Sequence, residues 1–151
     1  MNNIPEPIKF YSVTDEYGEF SNFYEYEVTI DGKRWPTSEH YFQAMKFEDK
    51  NYIEKIRKTK KPITAAQMGR DRSAKIKRGW DSMRVNVMTA AVRAKFTQHQ
   101  DLHDLLLSTG DRKIIEHTSN DDYWGDGGDS SGANMLGIIL MRIRNELSNV
   151  E

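Results

Sequence analysis

The sequence predicts an α+β fold, a single helix-rich domain over residues 1–151 with a small antiparallel sheet. Three observations carry that expectation. Apolar or aromatic residues alternate from Tyr24 to Ile30, the period of a half-buried strand, and Asp31-Gly32 follows as a hairpin turn. Beyond Pro36 the apolar spacing turns to three and four, which is helical. Strands thus come first and helices after, and no repeat, low-complexity tract or linker divides the chain.

Taken in order, residues 8–13 (IKFYSV) form a short strand candidate. The second strand puts Tyr24, Tyr26, Val28 and Ile30 on one face. A two-residue hairpin turn needs positive φ at both central positions, which Asp-Gly accepts. Pairing across it sets Ile30 opposite Lys33 and Val28 opposite Trp35, so Trp35 belongs to the apolar face. Pro36 ends the hairpin, and Thr37 or Ser38 caps a helix running to about Phe47. Pro62 opens a short helix over about 63–68 that Gly69 stops. Asp81 caps a long helix to about His99, whose stripe Val85, Met88, Val92 and Phe96 is core. Leu102, Leu105 and Leu106 mark another helix, stopped by Gly110. A strand over 113–118, a turn-rich loop over 119–133 and a final helix over 134–147 complete the chain. That last helix turns Leu136, Leu140, Ile143 and Leu147 inward.

Composition excludes several functions. Without cysteine there is no disulfide, thiolate zinc site, iron–sulfur cluster or cysteine nucleophile. The longest apolar run, Met135 to Met141, falls far short of the roughly 18 residues of a spanning helix. The start, MNNIPEPIKF, lacks a basic segment followed by an apolar one, so a cytoplasmic location is expected. Lys and Arg number 22 against 23 Asp and Glu, and this balance offers no bulk attraction to nucleic acid.

Chemistry concentrates in three stretches. In WPTSEHYFQAMKF (Trp35–Phe47), Glu39, Gln43 and Lys46 stand at i, i+4 and i+7, on one face of a helix. Acid and amine then lie about 10 Å apart along the axis. That is too far for a simple ion pair but within reach of a ligand between them. Spacing alone also fits a solvated face; the surrounding Trp35, Tyr41, Phe42 and Phe47 favour a pocket wall. NDDYWGDGGDSSGAN (Asn120–Asn134) reads either as a flexible surface loop or as a ligand loop whose glycines, Gly125 among them, permit close approach of backbone to a ligand; Trp124, a stacking surface amid glycines, counts against the first. The loop is neither a Walker loop nor a dinucleotide fingerprint nor a calcium loop. In GRDR (Gly69–Arg72), Arg70 and Arg72 flank Asp71, either as a surface ion pair or as a phosphate clamp. Trp80 reads equally as a core anchor or a base-stacking face. His99 and His103 have i, i+4 spacing but no glutamate follows His99, so no metal is expected. His40 reads as a structural hydrogen bonder.

FSNF (Phe20–Phe23), WPTSEHYFQAMKF, MGRDR (Met68–Arg72), RAKF (Arg93–Phe96) and YWGDGG…GANMLG (Tyr123–Gly137) occur in this order over roughly residues 10–147. In this the chain resembles the YbiA-like proteins of the NADAR family of N-glycosidases. The resemblance implies hydrolysis of the bond between ribose and an amine, in ribosylamino-pyrimidine phosphates of early riboflavin biosynthesis. A small phosphorylated ribosylamine is then the partner, with no cofactor and no membrane. Other branches of the family are associated with ADP-ribose, including its removal from guanine, and only on that reading is nucleic acid a partner. A binding module for ADP-ribose or nucleotide, without turnover, is the alternative of another class. On the enzyme reading, Lys46 forms a Schiff base with C1 of ribose and Glu39 serves as acid and then base. Asp126 holds ribose hydroxyls or stabilises positive charge at C1. Arg70 and Arg72 hold the phosphate, Trp80 or Trp124 stacks on the pyrimidine, and Gln43 and Gly125 complete the binding set. A route without a covalent step stays open, with Glu39 and Asp126 as acid and base.

Overall fold

A computed structural model describes residues 4–150. The chain forms two compact units: one joins its two ends, up to Ser21 and from His99 on, and the other is Asn22–Gln98.

The unit of the two ends is built on a parallel pair of strands, β1 (Ile8–Phe10) and β4 (Ile114–Glu116), with Ile8 beside Ile114 and Phe10 beside Glu116. These partners are more than a hundred residues apart in sequence. Helix α5 (Gln100–Ser108) buries Leu102 and Leu106, and helix α6 (Met135–Val150) packs on β4 with Leu136, Leu140 and Ile143 buried. Leu105 and Leu147 are half-buried. Phe10 and Phe20 meet edge to face at 5.8 Å inside this core. The far edge of β4 is closed by a side chain: Asn134 Oδ1 accepts the Glu116 N–H at 3.0 Å and its Nδ2 donates to the Ile114 carbonyl at 3.0 Å. An amide pair thus imitates a neighbouring strand.

The unit Asn22–Gln98 holds the antiparallel hairpin of β2 (Val28–Ile30) and β3 (Lys33–Trp35). The register is the expected one, Val28 opposite Trp35 and Ile30 opposite Lys33. Asp31 and Gly32 carry φ of 52° and 77°, as the turn demands. The β2 strand is shorter than its alternation suggests: ahead of it the Tyr26 N–H turns back onto the Tyr24 carbonyl at 2.8 Å, and the two rings stack at 5.3 Å. Its free edge is closed as in the other sheet, by Gln98, whose amide accepts from Thr29 N–H at 2.8 Å and donates to Thr29 O at 2.7 Å.

Four helices complete this unit: α1 (Ser38–Ala44), α2 (Lys50–Lys58), α3 (Pro62–Gly69) and α4 (Trp80–Gln98). The core they share gathers Val28, Trp35, Tyr41, Ala44, Phe47, Ile56, Ala65 and Ala91. Trp35 is 2% exposed and meets Tyr41 edge to face, so the hairpin face read from the turn is the buried one. In α4, Met88, Val92 and Phe96 are buried and Val85 is half-buried, as the stripe predicts. Helix α2 was not anticipated. Asp49 caps it, accepting from the N–H groups of Asn51 and Tyr52, and Ile56 alone is fully buried in a stretch rich in Lys and Arg.

Candidate active site

Helix α1 is seven residues long and holds Glu39 in its first turn, where the helix dipole favours a carboxylate. Thr37 caps it, accepting the His40 N–H at 3.2 Å. The His40 ring is fully buried, with Nδ1 2.8 Å from Thr37 Oγ1 and Nε2 3.0 Å from the Thr59 carbonyl. A carbonyl only accepts, so Nε2 carries the proton and Nδ1 accepts from the Thr37 hydroxyl. Burial pushes His40 below the ordinary imidazole range, against the opposing pull of the Thr59 carbonyl and of Glu25. His40 is therefore the structural hydrogen bonder expected, tying the start of α1 to the end of α2. A second clamp is Asn22. Its side-chain oxygen accepts from Ser38 Oγ at 2.8 Å, its backbone carbonyl from Glu39 N–H at 3.4 Å, and its amide lies 3.3 Å from Met88 Sδ.

Glu39 is 7% exposed, and one of its oxygens accepts a hydrogen bond from Gln43 Nε2 at 3.0 Å. The i, i+4 pairing read from sequence is real. Gln43 Oε1 is buried without a hydrogen-bond partner and points at Gly69 on α3. A Cβ at Gly69 would collide with that side chain, so glycine there lets α1 and α3 approach.

Lys46 departs from expectation. Helix α1 ends at Ala44, with Met45 as C-cap, so Lys46 lies past the helix in a turn in which its N–H bonds the Gln43 carbonyl at 3.3 Å. Its backbone is fastened from outside: Lys46 O accepts from Lys77 N–H at 2.7 Å, and Phe47 bridges to Ile76. The ammonium sits 5.7 Å from the centre of the Phe42 ring, and Phe42 meets Trp80 at 5.4 Å. Burial pushes Lys46 below the usual lysine range; Glu39 opposes this and Arg70 adds to it. Glu39, Gln43, Lys46 and Arg70 are thus one electrostatic cluster.

Arg70, the C-cap of α3, and Arg72 are exposed, and the ion pair with Asp71 does not form: Asp71 instead accepts from Ser73 N–H and Oγ. Two guanidinium groups in open solvent remain able to take up an anion. Trp80 is 8% exposed against Phe42, the core-anchor arrangement of the two considered.

Trp124, Gly125 and Asp126 lie in the loop between β4 and α6. Asp121 Oδ1 accepts the N–H groups of Tyr123 and Trp124, and Trp124 is half-buried, edge to face with Tyr123 at 4.9 Å. Gly125 is enclosed by backbone: an added Cβ would stand 2.8 Å from the Asp121 carbonyl oxygen and 2.9 Å from that of Glu116. Asp126 is buried. Its Oδ1 accepts from Thr118 N–H at 3.1 Å and Gly128 N–H at 2.8 Å, and its Oδ2 lies 2.7 Å from His117 Nδ1. Burial alone raises its pKa, but these three hydrogen bonds and the His117 charge outweigh it and hold Asp126 below the usual carboxylate range. His117 and the 76–77 strap carry no marker in the sequence, because their partners are set by tertiary contacts; Asn22 falls within the FSNF motif, but its role as a clamp on α1 does not follow from it. Among the described residues no helix is long and apolar enough to cross a membrane.

N-glycosidase YbiA of Escherichia coli K12 is 54% identical over 141 residues, covering 93% of this chain and 88% of that protein. The NMR structure of the E. coli protein YbiA superposes with a TM-score of 0.90 at 52% identity, covering 97% of this chain and 87% of that one. Riboflavin biosynthesis protein VVA0006 of Vibrio vulnificus is 42% identical over 146 residues, 97% of this chain but 40% of that longer protein. The family model described as the NADAR domain matches residues 9–148, and the chain belongs to the NADAR family.

Proposed function

We propose that this N-glycosidase, acting in the cytoplasm as one domain over residues 1–151, hydrolyses ribosylamino-pyrimidine phosphates to ribose 5-phosphate and a free aminopyrimidine. The observation that carries the reading is a lysine pushed toward its neutral form within the field of a buried glutamate, in a chain of this family. The relative from Vibrio vulnificus, whose name places it in riboflavin biosynthesis, supports the choice of substrate.

The chemistry follows from the groups. A ribosylamine opens its ring to an imine at C1. Neutral Lys46 Nζ adds to C1, the imine nitrogen takes one proton from Glu39 and one from the Nζ made cationic by the addition, and the aminopyrimidine departs with the electron pair of its C–N bond, leaving a protonated imine and an ionised Glu39. The sugar is now an imine on Lys46. Water adds at C1 with its proton taken by Glu39, the lysine amine leaves, and ribose 5-phosphate is released. Gln43 orients Glu39 through the Nε2 hydrogen bond. Asp126, held ionised, suits charge stabilisation at C1 or hydroxyl binding better than proton exchange, which favours the covalent route over the two-carboxylate one. Arg70 and Arg72 take the phosphate and Trp124 offers a stacking face for the pyrimidine, while Trp80 backs Phe42 and Gly125 lets its own loop pack closely.

Borohydride added during turnover is expected to leave a reduced pentose phosphate on Lys46, found by mass spectrometry, and Lys46→Arg to abolish both adduct and turnover. Turnover without any adduct refutes the covalent route. A substrate panel fixes the leaving sugar: release of ribose 5-phosphate is expected, whereas ADP-ribose released from an N-linked guanine adduct, with no ribose 5-phosphate formed, gives the site to that other chemistry.

A further inference from the structure

We propose that His117 is a positioning residue for the reaction, whose Nδ1–H sets the direction of the last open acceptor on Asp126. The inference rests on the reading that Asp126 acts on the ribosyl group. An ionised carboxylate has about four acceptor directions, two on each oxygen. On Asp126, the amides of Thr118 and Gly128 occupy both on Oδ1, and His117 occupies one on Oδ2. One direction is left, and it is on the oxygen that His117 grips. Because an ionised carboxylate only accepts, the proton of this 2.7 Å bond resides on Nδ1.

The two partners are unequally placed. The Asp126 side chain is 4% exposed and that of His117 is 43% exposed. The histidine backbone is nevertheless anchored, since His117 N–H donates to the Phe10 carbonyl at 2.9 Å where the β1–β4 pair ends. Asp126 is likewise fastened at both backbone groups, its N–H to Glu116 O at 2.9 Å and its carbonyl from Gly132 N–H at 2.8 Å. With Oδ1 held by main chain and the backbone fixed, rotation of the carboxylate about its Cβ–Cγ bond is restrained at Oδ2 by the imidazole.

Asparagine and glutamine separate positioning from bulk. The Asn amide nitrogen falls near the place of histidine Nδ1, and that of Gln near Nε2. His117→Ala and His117→Gln are expected to lower kcat about 10-fold to 100-fold with KM within about twofold, the cost of misplacing a reacting group. His117→Asn is expected to recover most of kcat. Should His117→Ala prove unfolded, the Asn and Gln pair decides alone. If His117→Gln keeps the wild-type kcat, or His117→Asn is as slow as His117→Gln, the proposal is overturned, whatever happens to the melting temperature. Asp126→Asn tests the underlying reading separately. A slow Asp126→Asn with a fast His117→Gln removes only the positioning role, whereas a fully active Asp126→Asn removes the role of Asp126 itself.

Discussion

On the covalent route proposed above, Lys46 has to lose a proton before its nitrogen can attack carbon, and its surroundings divide on the matter. Burial beside Phe42 and the Arg70 guanidinium favour the neutral form, while Glu39 favours the ammonium. Since burial and Arg70 win, the midpoint of Lys46 deprotonation lies below the roughly 10.4 of a free lysine. Acylation of Lys46, followed by mass spectrometry across pH, reads that midpoint directly. Removing the opposing charge with Glu39→Gln should move it further down, and Arg70→Ala should move it up. An unshifted wild-type midpoint, or shifts of the opposite sign, would show that the cluster does not act on this lysine. At this scale part of the candidate site's geometry was legible in the sequence. Glu39 and Gln43 are one helical turn apart, so their contact follows from local geometry. Lys46 does not take the helical i+7 position that its spacing predicts: it stands beyond the helix and is held by the 76–77 strap. His117 was not legible, because its partner is nine residues away across an irregular loop and no spacing rule governs such a pair.

Among the elements, the strands near both ends of the chain were legible as strands, but the pairing of distant ones was not. The hairpin was readable because Asp31-Gly32 fixes both turn type and register. Strand β1 lies along β4, and nothing within either triplet names a partner so far away in the chain. Helix α2 was overlooked because its polar residues hide a short apolar stripe of Tyr52, Ile53 and Ile56. Gly69 is instructive because the reading of it as a helix stop is sound but incomplete. It is the last residue of α3, and its missing side chain leaves room for Gln43 on α1. Gly69→Ala should therefore push Gln43 off Glu39, reducing turnover and costing about 1–3 kcal/mol in urea denaturation. In a Gln43→Ala background the same substitution should cost much less, because the colliding side chain is gone. Equal costs in the two backgrounds would show that α1 and α3 are not coupled through this contact.

For the chain as a whole, a net charge of -1 is a misleading sum. Residues 22–98 contain 17 Lys and Arg against 9 Asp and Glu, while the remaining residues contain 5 against 14. The segment that carries Glu39 and Lys46 is therefore strongly cationic, with Lys55, Lys58, Lys60, Lys61, Arg70 and Arg72 all exposed. Composition averaged over the whole chain removed an electrostatic argument that the separate units restore. Exposed charges act through water, over a Debye length of about 30 Å at 0.01 M salt and about 10 Å at 0.1 M. A field of this kind raises the encounter rate of an anionic substrate and is screened as salt increases. The second-order rate kcat/KM for a phosphorylated ribosylamine should accordingly fall with ionic strength. The dephosphorylated substrate should show little dependence, and Lys58→Glu with Lys60→Glu should flatten the slope for the phosphorylated one. If the phosphorylated substrate responds to salt no more than its dephosphorylated counterpart, the cationic surface does not steer the substrate, and its charge serves something other than capture of the phosphate.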